Sequence, residues 1–170
     1  MKLKVKRIRP DAKLPEIAHP GEDFGYDVFA CIPPFEPGQP QEYLYRTADS
    51  VILDAGCQIK IPIGWAMELS AFNYTDLGFR ELKMGLIAKQ PSGLASKRML
   101  DVKAGVIDAG YRNEIVVLLY NYGTETQYIK HHDKVAQLVP MPIYAGEIEE
   151  VDKLSESGRG LAGWGSGHKS

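Results

Sequence analysis

Asp108 stands between Val106-Ile107 and Ala109-Gly110-Tyr111, just ahead of a strongly apolar run. A carboxylate at the mouth of such a turn, among apolar neighbours, can be held partly out of water and can orient a water molecule as general base. The same Asp-Ala-Gly context also makes an ordinary turn, and taken locally that is the commoner outcome. A second group is Pro91-Ser92-Gly93-Leu94-Ala95, which reads as the opening of a short helical turn. Free N–H groups and a positive dipole end suit a phosphate there; a plain N-cap serine is the ordinary alternative. The third group lies in Ser155–Ser170, SESGRGLAGWGSGHKS. Arg159 can clamp a phosphate through two parallel hydrogen bonds. Gly160, Gly163, Gly165 and Gly167 let the backbone approach a ligand closely, and Trp164 can stack on a base. A Gly/Ser-rich terminus is ordinarily a loose tail, yet an isolated Arg and Trp within one call for a reason. The histidines offer little: His131 and His132 are adjacent, so on a strand they point to opposite faces, and no protein-ligated transition metal is expected.

These groups must be positioned by short strands. Candidates are Leu3–Arg9, Gly25–Cys31, Ser50–Leu53, Cys57–Ile63, Trp65–Ser70, Met84–Lys89, Glu114–Tyr122, Gln127–Ile129 and Lys134–Pro142. Gly and Pro punctuate them at Pro20-Gly21, Pro33-Pro34, Pro37-Gly38, Ala55-Gly56, Asn121–Gly123 and Ala145-Gly146. Many short strands at close spacing predict an all-β fold, a distorted jelly roll or β-barrel, rather than βαβ units. The best helical turn is Leu94–Leu100. Residues 73–83, NYTDLGFRELK, have few apolar positions and a central glycine, and read as a surface loop with at most one turn. Residues 1–154 are expected to form the β domain and residues 155–170 a flexible Gly-rich arm that buries no core of its own.

The bulk numbers bound the partners. A chain of 170 residues supports one domain with a real core. Its net charge of −2 gives no global field for nucleic acid or an anionic membrane, and no apolar stretch approaches a membrane span. The basic start, MKLKVKRIRP, alternates charge with Leu3, Val5 and Ile8; it reads as a strand and not a signal peptide. Cys31 and Cys57 form no CxxC, and two thiols without a disulfide framework point to a reducing, cytoplasmic setting.

Taken together the groups resemble the trimeric dUTP pyrophosphatase (dUTPase) family, whose five motifs occur here in order. They are Gly25-Tyr26-Asp27-Val28-Phe29-Ala30; Ser92-Gly93-Leu94-Ala95-Ser96-Lys97; Gly105-Val106-Ile107-Asp108-Ala109-Gly110-Tyr111-Arg112; Asp133-Lys134-Val135-Ala136-Gln137-Leu138; and Arg159-Gly160 followed by Gly163-Trp164-Gly165-Ser166. The third is the most specific, and the match spans essentially the whole chain. The resemblance implies a jelly-roll homotrimer with active sites shared between subunits, and hydrolysis of dUTP to dUMP and pyrophosphate with Mg²⁺. By that likeness Asp108 activates the water that attacks the α-phosphorus. Tyr111 packs beneath the deoxyribose and excludes a 2′-hydroxyl. The hairpin after Asp108 reads uracil through its backbone. Ser92, Gly93, Gln137, Arg159 and Ser166 hold phosphates, with further substrate contacts from Gly105, Ile107, Glu114, Ile115, Trp164 and Gly165. Asp27 faces a water on Mg²⁺, and the arm closes over the substrate with Trp164 in place of the family's stacking Phe.

Three departures stand out. Pro91 occupies the position of the family's Arg before the serine, leaving Arg98 or Arg80 to compensate. Phe72–Lys83, within a loop at 70–83, looks inserted, and offers a surface for another protein. The arm reads Gly-Ser-Gly-His where Gly-Ser-Thr-Gly is usual. Two other readings compete. A dCTP deaminase shares the fold, but needs a catalytic Glu in the strand after the third motif, where this chain has Leu118. Leu cannot shuttle a proton. A dUTPase-like nucleotide-binding regulatory protein is favoured by Pro91 and the insertion, and opposed by an intact Asp108 and Tyr111.

Overall fold

The computed structural model describes residues 2–33, 46–47, 50–69, 72–74, 79–143 and 146–158. The fold is all-β with one short helix. In chain order the elements are β1 (Leu3–Arg7), β2 (Tyr26–Phe29), β3 (Ser50–Leu53), β4 (Gln58–Pro62), β5 (Trp65–Leu69), β6 (Phe72–Tyr74) and β7 (Phe79–Leu82). They continue with β8 (Met84–Lys89), α1 (Ser92–Arg98), β9 (Leu100–Lys103), β10 (Val106–Ile107), β11 (Val116–Asn121), β12 (Gln127–Lys130) and β13 (Lys134–Pro142). Two main sheets, β10-β8-β13-β2 and β4-β11-β9, are accompanied by the pairs β1-β5, β12-β3 and β6-β7. The strands make a jelly-roll-like sandwich; the described ladders do not close into one barrel.

The core lies between the two main sheets. Alternate residues of β13 and β8, such as Leu138, Leu86 and Ala88, share one buried cluster with Ile61, Val102, Val117 and Leu119 from the other sheet. β11 shows the alternation that a half-buried strand requires, with Val117, Leu119 and Asn121 inward. Asn121 is the polar member of that row and is fully buried. Its Nδ2 donates to the carbonyls of Leu53 (3.1 Å) and Glu125 (2.8 Å), and its Oδ1 accepts from Gly123 N–H at 2.9 Å. One side chain thus fastens the end of β3 and the turn after β11. Asn121→Leu strands all three backbone groups. We expect a loss of about 3 kcal/mol, since each buried orphan costs on the order of 1–3 kcal/mol. That corresponds to a thermal midpoint lower by about 6–12 °C; an unchanged midpoint by calorimetry would show that water replaces the amide.

Six elements differ from the sequence reading. Residues 72–74 and 79–82 are not loop but an antiparallel ribbon, with Phe72 opposite Leu82 and Tyr74 opposite Phe79. The aromatic alternation Phe72, Tyr74 is a period-2 signal that the polar residues around it obscure. β9 and β10 are strands the sequence did not announce, because each is short and Gly105 falls between them. The helix spans Ser92–Arg98, two residues earlier than expected. It ends at Met99, whose left-handed φ of 51° stops it. Finally, β11 begins at Val116 and not at Glu114, and β10 and β11 belong to different sheets. Residues 108–115 therefore form a loop that crosses from one sheet to the other, not the tip of a ladder-paired hairpin.

Candidate active site

The register of the four-stranded sheet locates the expected site residues. Asp27 on β2 is opposite Gln137 on β13, and Gln137 is opposite Lys89 on β8. Ser92 and Gly93 open α1 just beyond Lys89 and are exposed. The helix has Pro91 at its N-cap and no side-chain hydrogen bond there, so Ser92 is not spent as a cap. Asp27, Gln137, Ser92 and Gly93 thus lie toward one end of the sheet. Asp27 is 3% exposed. Lys134 pairs with its Oδ2, while Oδ1 is buried without a hydrogen-bond partner.

Gly105, Ile107 and Asp108 run down the neighbouring strand. Ile107 is opposite Leu86, so Asp108 lies level with Gly85. Asp108 lines a small recess with Met67, Leu69, Met84, Gly85, Leu86, Ile107 and Ala109. Its carbonyl accepts Tyr111 N–H at 3.0 Å. The carboxylate itself is exposed, so within one chain it is not partly desolvated as the sequence suggested. Tyr111 is 41% exposed, and its hydroxyl donates to the Glu114 carbonyl at 2.9 Å.

Two expected substrate contacts meet competition. Ile115 is buried, its N–H donates to Trp65 O at 2.9 Å, and its carbonyl accepts Ile63 N–H at 3.1 Å. Its hydrogen-bonding groups are committed to the fold. The Glu114 carboxylate is taken by Arg9, through bonds of 2.6 and 2.9 Å, and by Gly64 N–H at 2.9 Å. Arg98 does not substitute for the Arg absent at Pro91. It donates to Gln127 Oε1 (3.0 Å) and the Tyr128 carbonyl (2.7 Å), and faces Asp133. The Arg80 side chain lies outside the described residues, as do Arg159, Trp164, Gly165 and Ser166 of the arm.

One chain does not unite these groups. The level of Asp108 and the level of Gln137 are separated along β8 by about 13 Å, at roughly 3.3 Å per residue. Ser92 is farther still. Attack on phosphorus requires reacting atoms about 3–3.5 Å apart, and Asp108 does not come that near the phosphate-side residues of its own chain.

The sequence did not foresee Arg9, Gly64 or Lys134 as neighbours of these residues. Their partners are remote in the chain, and no local spacing marks them. A second cluster, Asp11, Cys31 and His131, has donor atoms within 4.8 Å of one another. Cys31 Sγ–H points to Asp11 Oδ1 at 3.7 Å. Burial, and then the Asp11 charge, push its thiol up to about 12. Burial, followed by His132, lowers the pKa of His131. Its Nδ1 accepts Ile32 N–H at 3.1 Å, which puts the ring proton on Nε2, facing Asp11 Oδ2 at 3.4 Å. Metal on Nε2 would force an N–H against the Ile32 N–H, so the trio reads as a hydrogen-bonded part of the fold. Leu118, where a deaminase needs a Glu, sits in β11 between Lys60 and Lys103.

The chain is similar to known proteins over its whole length. A family model described as dUTPase matches residues 84–168. The deoxyuridine 5'-triphosphate nucleotidohydrolase of Desulfitobacterium hafniense is 34% identical, with 98% of this chain and 95% of that protein covered. The enzyme of the same name from Clostridium tetani is 36% identical, covering 96% and 94%. Among solved structures, Staphylococcus bacteriophage 80alpha dUTPase with dUpNHpp superposes with a TM-score of 0.72 at 24% identity, covering 99% of each chain. A dUTPase from phage phi11 of S. aureus, described with a structural Mg(II) ion, gives 0.69 at 22%, covering 92% of this chain and 100% of that one. With the motifs in order on a shared fold, and relatives of this identity along nearly the full chain, the protein belongs to the dUTPase family.

Proposed function

We propose that this protein hydrolyses dUTP to dUMP and pyrophosphate in active sites shared between copies of the chain. The observation that carries the shared site is the separation of Asp108 from Asp27, Gln137 and Ser92 along one sheet. A homotrimer, the assembly the family resemblance implies, resolves it by setting the Asp108 loop of one copy against the phosphate-side residues of another. Docking of that second copy also supplies the desolvation that Asp108 lacks alone.

In this reading Asp108 takes the proton from the attacking water, and its exposure leaves it accessible to that water. Tyr111 supports the sugar. Ser92, Gly93 and Gln137 bind phosphates, joined by Arg159 and Ser166 of the arm. Ile107, beside Asp108, and Gly105, where two backbones approach closely, shape the same wall. Asp27 fits a water-mediated role toward Mg²⁺: it is an oxygen donor with one buried oxygen unpartnered and the other neutralised by Lys134. Mg²⁺ prefers oxygen and keeps several waters. When bound, it offsets triphosphate charge. The β6–β7 ribbon, which shares no ladder with the other described sheets, is the surface we assign to a protein partner. No helix among the described residues is long and apolar enough to cross a membrane, and with both cysteines free we place the enzyme in the cytoplasm.

A substrate panel tests the reaction. Purified protein with Mg²⁺ is given dUTP, dCTP or UTP, and products are resolved by chromatography. Pyrophosphate from dUTP alone is the expected result. Deamination of dCTP, or no turnover of any nucleotide, would overturn the assignment.

A further inference from the structure

We propose that Arg9 is a positioning residue for the nucleotide loop 108–115, acting through Glu114 on Tyr111. The inference rests on the reading of that loop as part of the dUTP site.

The loop has no ladder of its own: β10 ends at Ile107 and β11 begins at Val116. Beyond the Ile115 backbone pair with Ile63 and Trp65 at its end, its orientation is set by side chains. Arg9 Nε and Nη2 grip the two oxygens of Glu114 at 2.6 and 2.9 Å. Both side chains are largely shielded, at 23% and 16% exposed. This is the fork-to-fork geometry that fixes direction as well as distance. Gly64 N–H adds a third bond to Glu114 Oε1 at 2.9 Å. Gly64 is itself held: its carbonyl accepts the N–H groups of Ile8 (2.9 Å) and Arg9 (3.3 Å). Its φ is +78°, and a Cβ there would fall 2.3 Å from Ala12 Cβ. The end of β1, the β4–β5 turn and the loop are thus joined at one carboxylate.

From Glu114 the linkage runs to the candidate substrate groups. The Glu114 carbonyl accepts the Tyr111 hydroxyl at 2.9 Å, and Tyr111 N–H donates to the Asp108 carbonyl at 3.0 Å. A second tie from the loop, Arg112 to Glu68 at 3.7 Å, is exposed on both sides and contributes little to rigidity. Loss of the Arg9 fork leaves this end of the loop held only by the Ile115 backbone pair with Ile63 and Trp65, so the Glu114 carbonyl that accepts the phenol is less firmly placed. The ring that excludes a 2′-hydroxyl then loses its fixed position, so the defect falls on sugar discrimination more than on the fold.

The test uses the full chain as wild type, Arg9→Gln, Arg9→Lys and Glu114→Gln. Without nucleotide, hydrogen exchange of segment 108–115 is expected to quicken about tenfold or more in Arg9→Gln and Glu114→Gln, as for loss of a charge-assisted hydrogen bond. Exchange in β13 should be unchanged. Arg9→Lys keeps the charge but not the fork, and should fall between. With Mg²⁺, the ratio of kcat/KM for dUTP over UTP should drop about tenfold in Arg9→Gln, the same order of free energy. That ratio is independent of how much enzyme is folded, so a merely structural Arg9 would leave it unmoved. An unchanged ratio, or unchanged exchange in 108–115, overturns the proposal. If wild type turns over no dUTP, the functional reading fails, and the exchange result alone decides whether Arg9 holds the loop. Should Arg9→Gln not fold, Glu114→Gln, which keeps an oxygen for Gly64 N–H, carries the same two readouts.

Discussion

Asp108→Asn should bind a non-hydrolysable dUTP analogue with nearly the wild-type Kd and lose turnover by about 10²- to 10⁴-fold, the span general-base catalysis supplies. The substitution is close to isosteric. The Asp108 carbonyl that accepts Tyr111 N–H belongs to the backbone, so the local turn survives. What is lost is the acceptor for the proton of the attacking water, because an amide oxygen is far too weak a base. The carboxylate is exposed in the single chain, so the change costs little stability and the melting midpoint should stay within a degree or two. The check is kcat for dUTP beside calorimetric binding of the analogue. Near-normal turnover would remove Asp108 from the base role and pass it to another group. Failed binding with normal folding would instead make Asp108 a ligand-holding residue.

The third motif was readable from the sequence because its chemistry is local. Gly105, Ile107, Asp108 and Tyr111 lie within one short stretch, and the structure keeps Ile107 and Asp108 beside Gly85 and Leu86. Asp27 and Gln137 are distant in sequence, and their juxtaposition could be named only through a resemblance; the register then set them opposite one another. Strands such as β8 and β11 were legible as short apolar runs bounded by turn residues. β9 and β10 were not, since four- and two-residue strands carry too few alternations to stand out. The hairpin expected after Asp108 failed for a related reason. Sequence shows that an apolar strand follows the turn, but not which strand it pairs with, and the ladder partners of β11 are β4 and β9. Ile115 was expected to offer its backbone to a base. Its place between Ile63 and Trp65 uses those groups, a contact no local pattern encodes. Arg9 was passed over as one more positive charge in a basic start. Its significance lies in Glu114, and only folding brings the two together.

Gly105→Ala should lower kcat by about 10²-fold, the loss that a misplacement on the order of 1 Å brings at a reacting centre. A Cβ on Gly105 would lie 2.5 Å from the Ala88 carbonyl oxygen. That neighbour is backbone of β8 and cannot swing aside as a side-chain tip could. The Gly105 carbonyl is meanwhile held by Ala88 N–H at 2.7 Å, so the strand cannot slide away without breaking that bond. The remaining relief is for β10 to lift from β8, and β10 is two residues long. The displacement is therefore passed to Asp108. Overpacking of this kind costs about 1–3 kcal/mol, enough to lower the midpoint without unfolding the sandwich, whose core lies on other strands. The measurement is kcat normalised to the folded fraction, with thermal melts alongside. A wild-type kcat in a folded Gly105→Ala protein would show that β10 accommodates the methyl in place, and that the close approach of Gly105 to β8 does not set the position of Asp108. A kcat defect with unaltered nucleotide affinity would separate this effect from the loss of a binding contact, because strain at Gly105 moves the general base relative to a substrate that another copy's phosphate-side residues still hold.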